Sequence, residues 1–367
     1  MSLLKTLSKE IEGLTIGTDG FLADVKEYID TGSYALNAAV SGSIFQGIHR
    51  NRITAFAGEE GVGKTFFLIE SVLAFQKLYP TGIVVVFDSE NAIDTDMLKK
   101  RGVDLTRFAK YDVLTVEEMR TKIMNIAKLC DAQTEKTPIL ILLDSLGNLS
   151  TNKEINDIVS GDDKRDMTRS QLLKGAFRVL TLGLGKRGIP MLVTNHVYDV
   201  VGSYIPEKIM GGGSGLKYAG SNIIFLFKTK AKDEEKVVTG IKIRCVIKKS
   251  RSTKLDTTVH VILDFNKGLK RYSGLFEICE NAGLIVKDGN RWVRVINGVK
   301  DETKFWEKDI HTEPESFFTE PFLKNIDEWT QANFKLGNEL DVENELEDET
   351  IDTKTGEVTS TKKKGKK

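Results

Sequence analysis

The residues with the clearest chemical meaning form one run, Gly58-Glu59-Glu60-Gly61-Val62-Gly63-Lys64-Thr65, which reads G-x-x-x-x-G-K-T. The apolar segment 53–57 before it favours a strand, and the segment 66–70 after it favours a helix. In that setting the glycines let backbone N–H groups surround a polyphosphate at a helix N-terminus. Lys64 is expected to reach the β- and γ-phosphates, and the Thr65 hydroxyl to bind Mg²⁺. The run predicts a nucleoside triphosphate site; the alternative is a glycine-rich turn that only starts a helix.

Polar residues end three other predicted strands. Segment 83–87 is followed by Asp88-Ser89-Glu90, segment 138–143 by Asp144-Ser145, and segment 190–193 by Thr194-Asn195-His196. Because the active site of an open α/β sheet lies beyond the carboxyl ends of its strands, these residues are expected to meet at the phosphate loop.

Each of these residue types suits a step of triphosphate hydrolysis. Asp144 is expected to hold Mg²⁺, directly or through water, although an Asp after a buried strand is often only a helix cap. Glu90 has the charge and reach to activate a water molecule, unless it is a carboxylate in the first turn of a helix. A role for His196 and a plain polar group at a strand end both remain open.

The order of these segments predicts the fold. Apolar strands alternate with amphipathic helices such as 65–77 and 116–130, which is typical of a mostly parallel sheet covered on both faces. Antiparallel strands are expected at 241–247 and 259–263, and a small lobe follows with a helix at 275–279 and a strand at 291–293. The predicted divisions are an N-terminal helical arm at 1–30, a P-loop ATPase core at 31–272, a small C-terminal α/β lobe at 273–337 and a disordered charged tail at 338–367.

Composition narrows the class of protein. The 367 residues carry 53 Lys+Arg and 53 Asp+Glu, so the net charge alone does not indicate a nucleic-acid partner. Cys130, Cys245 and Cys279 lie far apart and lack the spacing of a metal site. With neither a signal peptide nor a long apolar run, we expect a cytoplasmic protein without a membrane partner, in the host bacterial cytoplasm if it is phage-encoded.

The segments around these motifs resemble the RecA recombinase family. The start of its core is similar to IDTGSYALNAAVSGSIFQGIHRNRITAFAGEEGVGKT, and its later motifs are similar to FDSENAID, ILLDSLGNLS, VTNHVYD and GGGSGLKYAGS. DSLGNL, DMTR, MGGG and KSR are closer to the T-even phage branch of the family than to its bacterial branch. The resemblance covers about residues 30 to 295. It implies a RecA-like fold, ATP and Mg²⁺ as cofactors, and helical filaments of the chain on single-stranded DNA that pair with homologous duplex DNA. It also implies mediator and single-strand-binding proteins as partners.

The resemblance also implies roles for single residues. Glu90 matches the water-activating glutamate, and His196 matches the position that couples the γ-phosphate to the DNA loops. Lys249 and Arg251 match a basic pair that reaches the ATP of a neighbouring subunit. Met97 stands where bacterial members have a tyrosine that stacks on adenine. The arm at 1–30 is expected to join subunits, although it does not match the family's polymerisation strand.

Two long segments on the active face are candidates for DNA binding. Both are interpreted as loops without regular structure, 150–168 and 197–215, in which cations track phosphates and an aromatic or apolar side chain inserts between bases. The residues expected to contact DNA are Lys153, Lys164, Arg165, Arg169, Tyr198, Tyr204, Lys208, Gly211, Gly212 and Gly213. Four aspartates nearly neutralise the first segment, and loops that are only mobile are the alternative.

The sequence therefore predicts an ATP-dependent DNA recombinase, with DNA-dependent ATPase activity, acting in recombination, repair and recombination-dependent replication. One alternative is a ring-forming DNA helicase or motor built on the same fold. Another is a nucleotide-binding regulator that neither forms filaments nor binds DNA.

Overall fold

The central element of the chain is one large sheet. The computed structural model describes residues 3–12, 14–19, 21, 24, 27–161, 168–199, 208–229 and 240–337, and the backbone of 349–351 and 358–360. The strands in these residues are β1 (Tyr28–Ile29), β2 (Ile48–His49), β3 (Ile53–Gly58), β4 (Ile83–Asp88), β5 (Phe108–Asp112), β6 (Ile139–Asp144), β7 (Met191–Asp199), β8 (Lys208–Met210), β9 (Asn222–Thr229), β10 (Gly240–Lys249), β11 (Thr258–Asp264), β12 (Gly268–Leu269), β13 (Ile285–Asp288), β14 (Arg291–Ile296), β15 (Val299–Phe305), β16 (Glu349–Ile351) and β17 (Val358–Ser360).

The described residues also form helices. They are α1 (Leu3–Glu10), α2 (Tyr34–Ser41), α3 (Lys64–Leu78), α4 (Thr95–Lys100), α5 (Val116–Asp131), α6 (Asn152–Ser160), α7 (Arg169–Gly185), α8 (Ser214–Ala219), α9 (Leu275–Asn281), α10 (Glu307–Thr312), α11 (Pro314–Phe317) and α12 (Glu320–Phe334). Of these, α3 packs on one face of the sheet, and α5 and α7 pack on the other.

The order of the sheet is β12-β11-β10-β9-β3-β7-β6-β4-β5, with β8 paired to β7. The six strands from β9 to β5 run parallel, whereas β10, β11 and β12 are antiparallel to their neighbours. This confirms the predicted α/β fold with a mostly parallel sheet.

Continuous apolar strands form this sheet because both of its faces are buried. In β6, Leu140 and Leu142 pack into one core with α3, while Ile141 and Leu143 pack into a second core with α5 and α7. Both cores exclude water from the sheet and fix the positions of the strand ends.

The register of the parallel strands brings the predicted site residues to one edge. Gly58, where the phosphate loop begins, lies beside His196 in the β3–β7 pairing. Asp88 lies beside Asp144 in the β4–β6 pairing. The carboxyl ends of these four strands therefore form one surface.

The first thirty residues include α1, which has no buried residue, and β1, which pairs with β2. Helix α2 follows. Its N-cap Ser33 accepts a hydrogen bond from Leu36 N, and Gly42 ends it with a φ of 82°. A role of the arm in joining subunits stays a prediction.

The C-terminal lobe combines the antiparallel sheet β13-β14-β15 with α9 to α12. Its core contains Trp292, Phe317 and Phe322, and it also includes Ala38 of α2. Asp327 of α12 accepts hydrogen bonds from Ser43 Oγ and Ile44 N at 2.6 and 2.8 Å, so α12 is fixed to the end of α2.

Beyond residue 337 the described backbone is the antiparallel pair β16–β17. The predicted disorder of 338–367 otherwise lies outside the described residues. In the part of the chain that the structure describes, no helix is long and apolar enough to cross a membrane.

Candidate functional site

The phosphate loop connects β3 to α3 through residues in unusual backbone conformations. Gly61 and Gly63 have φ values of 64° and 94°, a region that side chains disfavour. A Cβ on Gly63 would also lie 2.7 Å from the side chain of Leu263. Glycine is therefore required at the N-cap of α3, where the helix N-terminus is open to an anion.

Lys64 is folded onto its own loop. Its Nζ donates hydrogen bonds to the carbonyl oxygens of Gly58 and Glu59 at 3.1 and 3.0 Å, and the residue is only 8% exposed. Burial lowers the pKa of Lys64, while the carboxylates of Glu90 and Asp144 act in the opposite direction. A polyphosphate would give this amine stronger acceptors than the two carbonyls.

Thr65 and Asp144 meet as the metal prediction requires. Thr65 Oγ1 donates to Asp144 Oδ2 at 2.8 Å, and Thr194 Oγ1 donates to Asp144 Oδ1 at 2.5 Å. Burial raises the pKa of Asp144, and the nearby carboxylates of Glu90 and Asp88 raise it further. A cation would relieve this cost, and a hydroxyl with a carboxylate suits Mg²⁺. The residues present therefore fit the metal.

Glu90 lies where three strand ends meet. Its Oε1 accepts a hydrogen bond from Ser145 Oγ at 2.5 Å and lies 3.0 Å from His196 Nε2. Ser145 is itself bonded to Ser89, whose Oγ accepts from Ser145 N at 2.9 Å and donates to Ser145 O at 2.7 Å. The ends of β4, β6 and β7 thus hold one carboxylate in a fixed orientation.

Asp88 stabilises the turn that carries Glu90. The residue is buried, its two oxygens accept from the N–H groups of Glu90 and Ile93, and Lys110 Nζ lies 3.0 Å from Oδ2. Burial alone would raise the pKa of Asp88, but the hydrogen bonds from Lys110 and the two N–H groups lower it below its usual value. Asp88 is therefore a buried anion that orients the Glu90 turn.

A pocket of about 590 Å³ opens beside α3 and α4. Arg101 forms part of its wall, with its guanidinium 4.4 Å from the Phe66 ring centroid and a hydrogen bond to Phe265 O at 3.0 Å. Met97 also lines the pocket, in the place where the resemblance implies a base-stacking residue. The lining combines the apolar side chains of Phe66, Met97 and Phe265 with polar and charged ones, so a planar base could stack there.

Lys249 and Arg251 lie at the other edge of the sheet. Lys249 pairs with Ile223 at the start of β9, and its Nζ donates to Lys217 O and Tyr218 O at the end of α8. Arg251 lines a small cavity with Ser221, whose N–H bonds to Ile53 O at the start of β3. The structure therefore separates both residues from their own phosphate loop.

The predicted first DNA loop is partly wrong. Residues 152–160 form helix α6, whose N-cap Thr151 accepts a hydrogen bond from Glu154 N, and Lys153 is exposed on it. Arg169 also differs from expectation, because its guanidinium donates to the carbonyls of Leu146, Gly147 and Leu149. It fixes the turn after β6, and DNA contact by Arg169 stays a prediction. Lys164 and Arg165 lie outside the described residues.

The second DNA segment also contains regular structure. Strand β7 continues to Asp199, and β8 pairs with it in the register Asp199 to Lys208. Tyr198 is exposed and its ring covers Gly211, where a Cβ would lie 2.7 Å away. Gly212 and Gly213 have φ values of 83° and 73° and lead into α8. Tyr204 lies outside the described residues.

Sequence reasoning missed two residues that organise the site. Ser145 was noted only as the neighbour of Asp144, yet it bonds to Glu90. Asn195 is fully buried; its Nδ2 donates to Gly211 O at 2.8 Å and its Oδ1 accepts from His196 N at 2.9 Å. Their position at strand ends was the available signal.

Comparison with known proteins agrees with this arrangement. The profile of the RecA N-terminal domain matches residues 13–270. The chain is 29% identical over 267 residues to the Recombination and repair protein of Enterobacteria phage T4, covering 73% of the chain and 67% of that protein. It is 27% identical over 277 residues to Protein RecA of Tropheryma whipplei, covering 73% of the chain and 59% of that protein. With Protein RecA of Mycoplasma mobile it shares 24% over 310 residues, covering 84% of the chain and 89% of that protein. Since this match spans most of the core and the strand ends carry the expected motifs, the chain belongs to the RecA family.

Proposed function

We propose that the chain binds ATP and Mg²⁺, forms helical filaments on single-stranded DNA and pairs that strand with homologous duplex DNA. As a RecA-family recombinase, it is a DNA-dependent ATPase of recombination and repair. The observation that carries the proposal is the contact of Glu90 with Ser145 and His196. His196 lies on β7, the strand that also carries Tyr198, a proposed DNA contact.

The phosphate loop supplies the binding energy for the triphosphate. Lys64 would exchange its two carbonyl acceptors for phosphate oxygens, and the N–H groups at the start of α3 would bind the same anion. Thr65 and Asp144 would hold Mg²⁺, which neutralises charge on the phosphates. The pocket beside Met97 and Phe66 would receive the base.

Glu90 would act as the general base. Both of its hydrogen bonds use Oε1, so among the described residues Oε2 has no competing donor and can accept a proton from water. Ser145 and His196 orient the carboxylate, which lowers the cost of arranging the reacting groups.

The position of Lys249 and Arg251 supports an active site shared between subunits. Both residues lie near the N-terminal ends of the parallel strands, while the phosphate loop lies at the carboxyl ends. In a head-to-tail polymer, one edge of a subunit faces the opposite edge of the next. The basic pair would then reach the ATP of a neighbour, so that hydrolysis and assembly depend on one interface.

DNA binding is proposed for Lys153, Arg169, Tyr198, Lys208 and the glycines 211–213. We also propose Lys164, Arg165 and Tyr204 as contacts, on their sequence alone. We also propose two protein partners: a single-strand-binding protein that covers the DNA strand, and a mediator protein that loads this chain onto it. The proposed compartment is the cytoplasm, that of a host bacterium if a phage encodes the chain.

Electron microscopy of the protein with ATP and single-stranded DNA tests this function. Helical filaments are the expected result. Closed rings would favour a motor instead, and the absence of any assembly on DNA would favour a nucleotide-binding regulator.

A further inference from the structure

Lys208 connects the second DNA segment to the phosphate loop. Its Nζ lies 2.5 Å from Glu59 Oε1, in the loop, and 2.8 Å from Asp199 Oδ1, at the end of β7. The hydrogen bonds to Asp199 and Glu59 raise the pKa of Lys208, so the amine stays charged. Lys208, which the sequence predicts as a DNA contact, is therefore bonded to Glu59 of the phosphate loop.

Glu59 also takes part in the arrangement of Lys64. Its carbonyl oxygen is one of the two acceptors of Lys64 Nζ, at 3.0 Å. A triphosphate would draw the Lys64 amine away from that carbonyl, and the backbone of Glu59 would then lose a contact that fixes it. The Glu59–Lys208 ion pair is thus present in the same loop conformation as the hydrogen bonds from Lys64 to Gly58 O and Glu59 O.

We propose that the Glu59–Lys208 ion pair is a latch that stabilises this loop conformation, and that DNA phosphate competes with Glu59 for the Lys208 amine. The proposal rests on the proposed function, because it assumes that both ATP and DNA are ligands. The latch is open when the Glu59–Lys208 ion pair is broken, and both ATP and DNA then bind better. Each ligand therefore strengthens the binding of the other by the same factor, as linkage requires. This route from DNA to the loop is separate from the contact between Glu90 and His196.

The effect should be modest. The Glu59 side chain is 58% exposed, and exposed ion pairs contribute little because water and salt screen them. We therefore expect changes in affinity of about twofold to fivefold. Higher salt should reduce them, which gives a further check on their electrostatic origin.

Asp199 provides a matched control. It bonds to the same amine as Glu59 but has no contact with the phosphate loop among the described residues. Glu59→Gln and Asp199→Asn change exposed side chains, and Lys208→Gln changes a half-buried one whose described ion pairs are those with these two carboxylates. The fold should therefore survive each change, and circular dichroism would verify it. Two affinities are measured for each variant: that of a fluorescent non-hydrolysable ATP analogue with Mg²⁺ and without DNA, and that of a labelled oligothymidine with and without the analogue.

Three signatures are expected. Glu59→Gln binds both the analogue and the oligothymidine more tightly when each is alone, and the two ligands help each other less. Asp199→Asn tightens only the oligothymidine. Lys208→Gln tightens only the analogue, because it opens the latch but removes the DNA contact.

The latch is refuted if Glu59→Gln leaves analogue affinity unchanged or weaker, or if Asp199→Asn tightens the analogue equally. A wild-type chain that binds the analogue but never the oligothymidine would instead contradict the proposed function. The analogue measurements would still decide whether Glu59 and Lys208 hold the loop.

Discussion

Replacing Glu90 with Gln separates proton acceptance from geometry. The amide oxygen of Gln can still accept the hydrogen bonds that Ser145 Oγ and His196 Nε2 make at 2.5 and 3.0 Å. The amide cannot take a proton from water, and general-base catalysis contributes about 10²–10⁴-fold in rate. We therefore expect kcat for ATP to fall by about that factor while affinity for ATP and Mg²⁺ is kept.

Ser145→Ala is the matched variant. It removes one hydrogen bond to Oε1 but leaves the carboxylate in place, and Ser145 is fully buried, so the vacated position stays dry. A hydrogen bond to a charged group contributes about 1.5–3 kcal/mol, and 1.36 kcal/mol corresponds to tenfold in rate. Since only part of that energy orients the base, the expected loss is about tenfold, between the wild type and Glu90→Gln.

Phosphate release at saturating ATP and single-stranded DNA measures both variants, and binding of a fluorescent ATP analogue measures affinity. Turnover of Glu90→Gln close to that of the wild type would refute the assignment of Glu90 as the base. If affinity for the analogue falls together with turnover, Glu90 stabilises the loop instead. Equal losses in both variants would mean that orientation by Ser145 matters as much as the charge.

Three further outcomes follow from the site. Lys64→Ala should lower the rate of ATP turnover by about 10²–10³-fold or more, while the protein stays folded. Hydrolysis at the wild-type rate would contradict the phosphate-loop assignment. His196→Ala should reduce DNA-stimulated turnover far more than DNA-independent turnover, whereas equal losses would indicate a packing role. Mixing Lys249→Ala with Glu90→Gln protein should restore measurable turnover, because some interfaces combine an intact base with an intact cation; no recovery at any ratio would place Lys249 in its own subunit or on DNA.

The sequence predicted the central sheet well because its strands are long apolar runs. All four strands expected between residues 53 and 193 are present, and polar residues or the phosphate loop follow them where the expected edge lies. The rule that parallel strands share a catalytic edge then brought Lys64, Asp144 and Glu90 together without any knowledge of contacts.

Helix α6 was missed because its sequence is polar and its apolar residues are few. A signal was present in Thr151 and Glu154, a Ser/Thr-x-x-Glu capping pattern that starts many helices. Thr151 does accept a hydrogen bond from Glu154 N at 3.0 Å. Composition suggested a loop, whereas the cap showed where the helix begins.

Contacts between distant residues could not be predicted in the same way. Arg169 and Lys208 both suggest DNA binding by their charge alone. In the structure, Arg169 bonds to three carbonyls that follow β6, and Lys208 bonds to Glu59 and Asp199. Charge gives the class of partner, but only the fold decides whether a carbonyl, a carboxylate or a phosphate is within reach.

Asn195 provides a physical connection from His196 to Gly211, in the segment proposed to bind DNA. Its buried amide joins His196 N to Gly211 O through two hydrogen bonds, and Gly211 N bonds back to His196 O at 3.1 Å. A buried polar group left without a partner costs about 1–3 kcal/mol. A shift of His196 toward a γ-phosphate must therefore either carry Gly211 with it or incur that cost. If His196 moves with the nucleotide state, as proposed, we expect Gly211 and the Tyr198 ring that covers it to move as well.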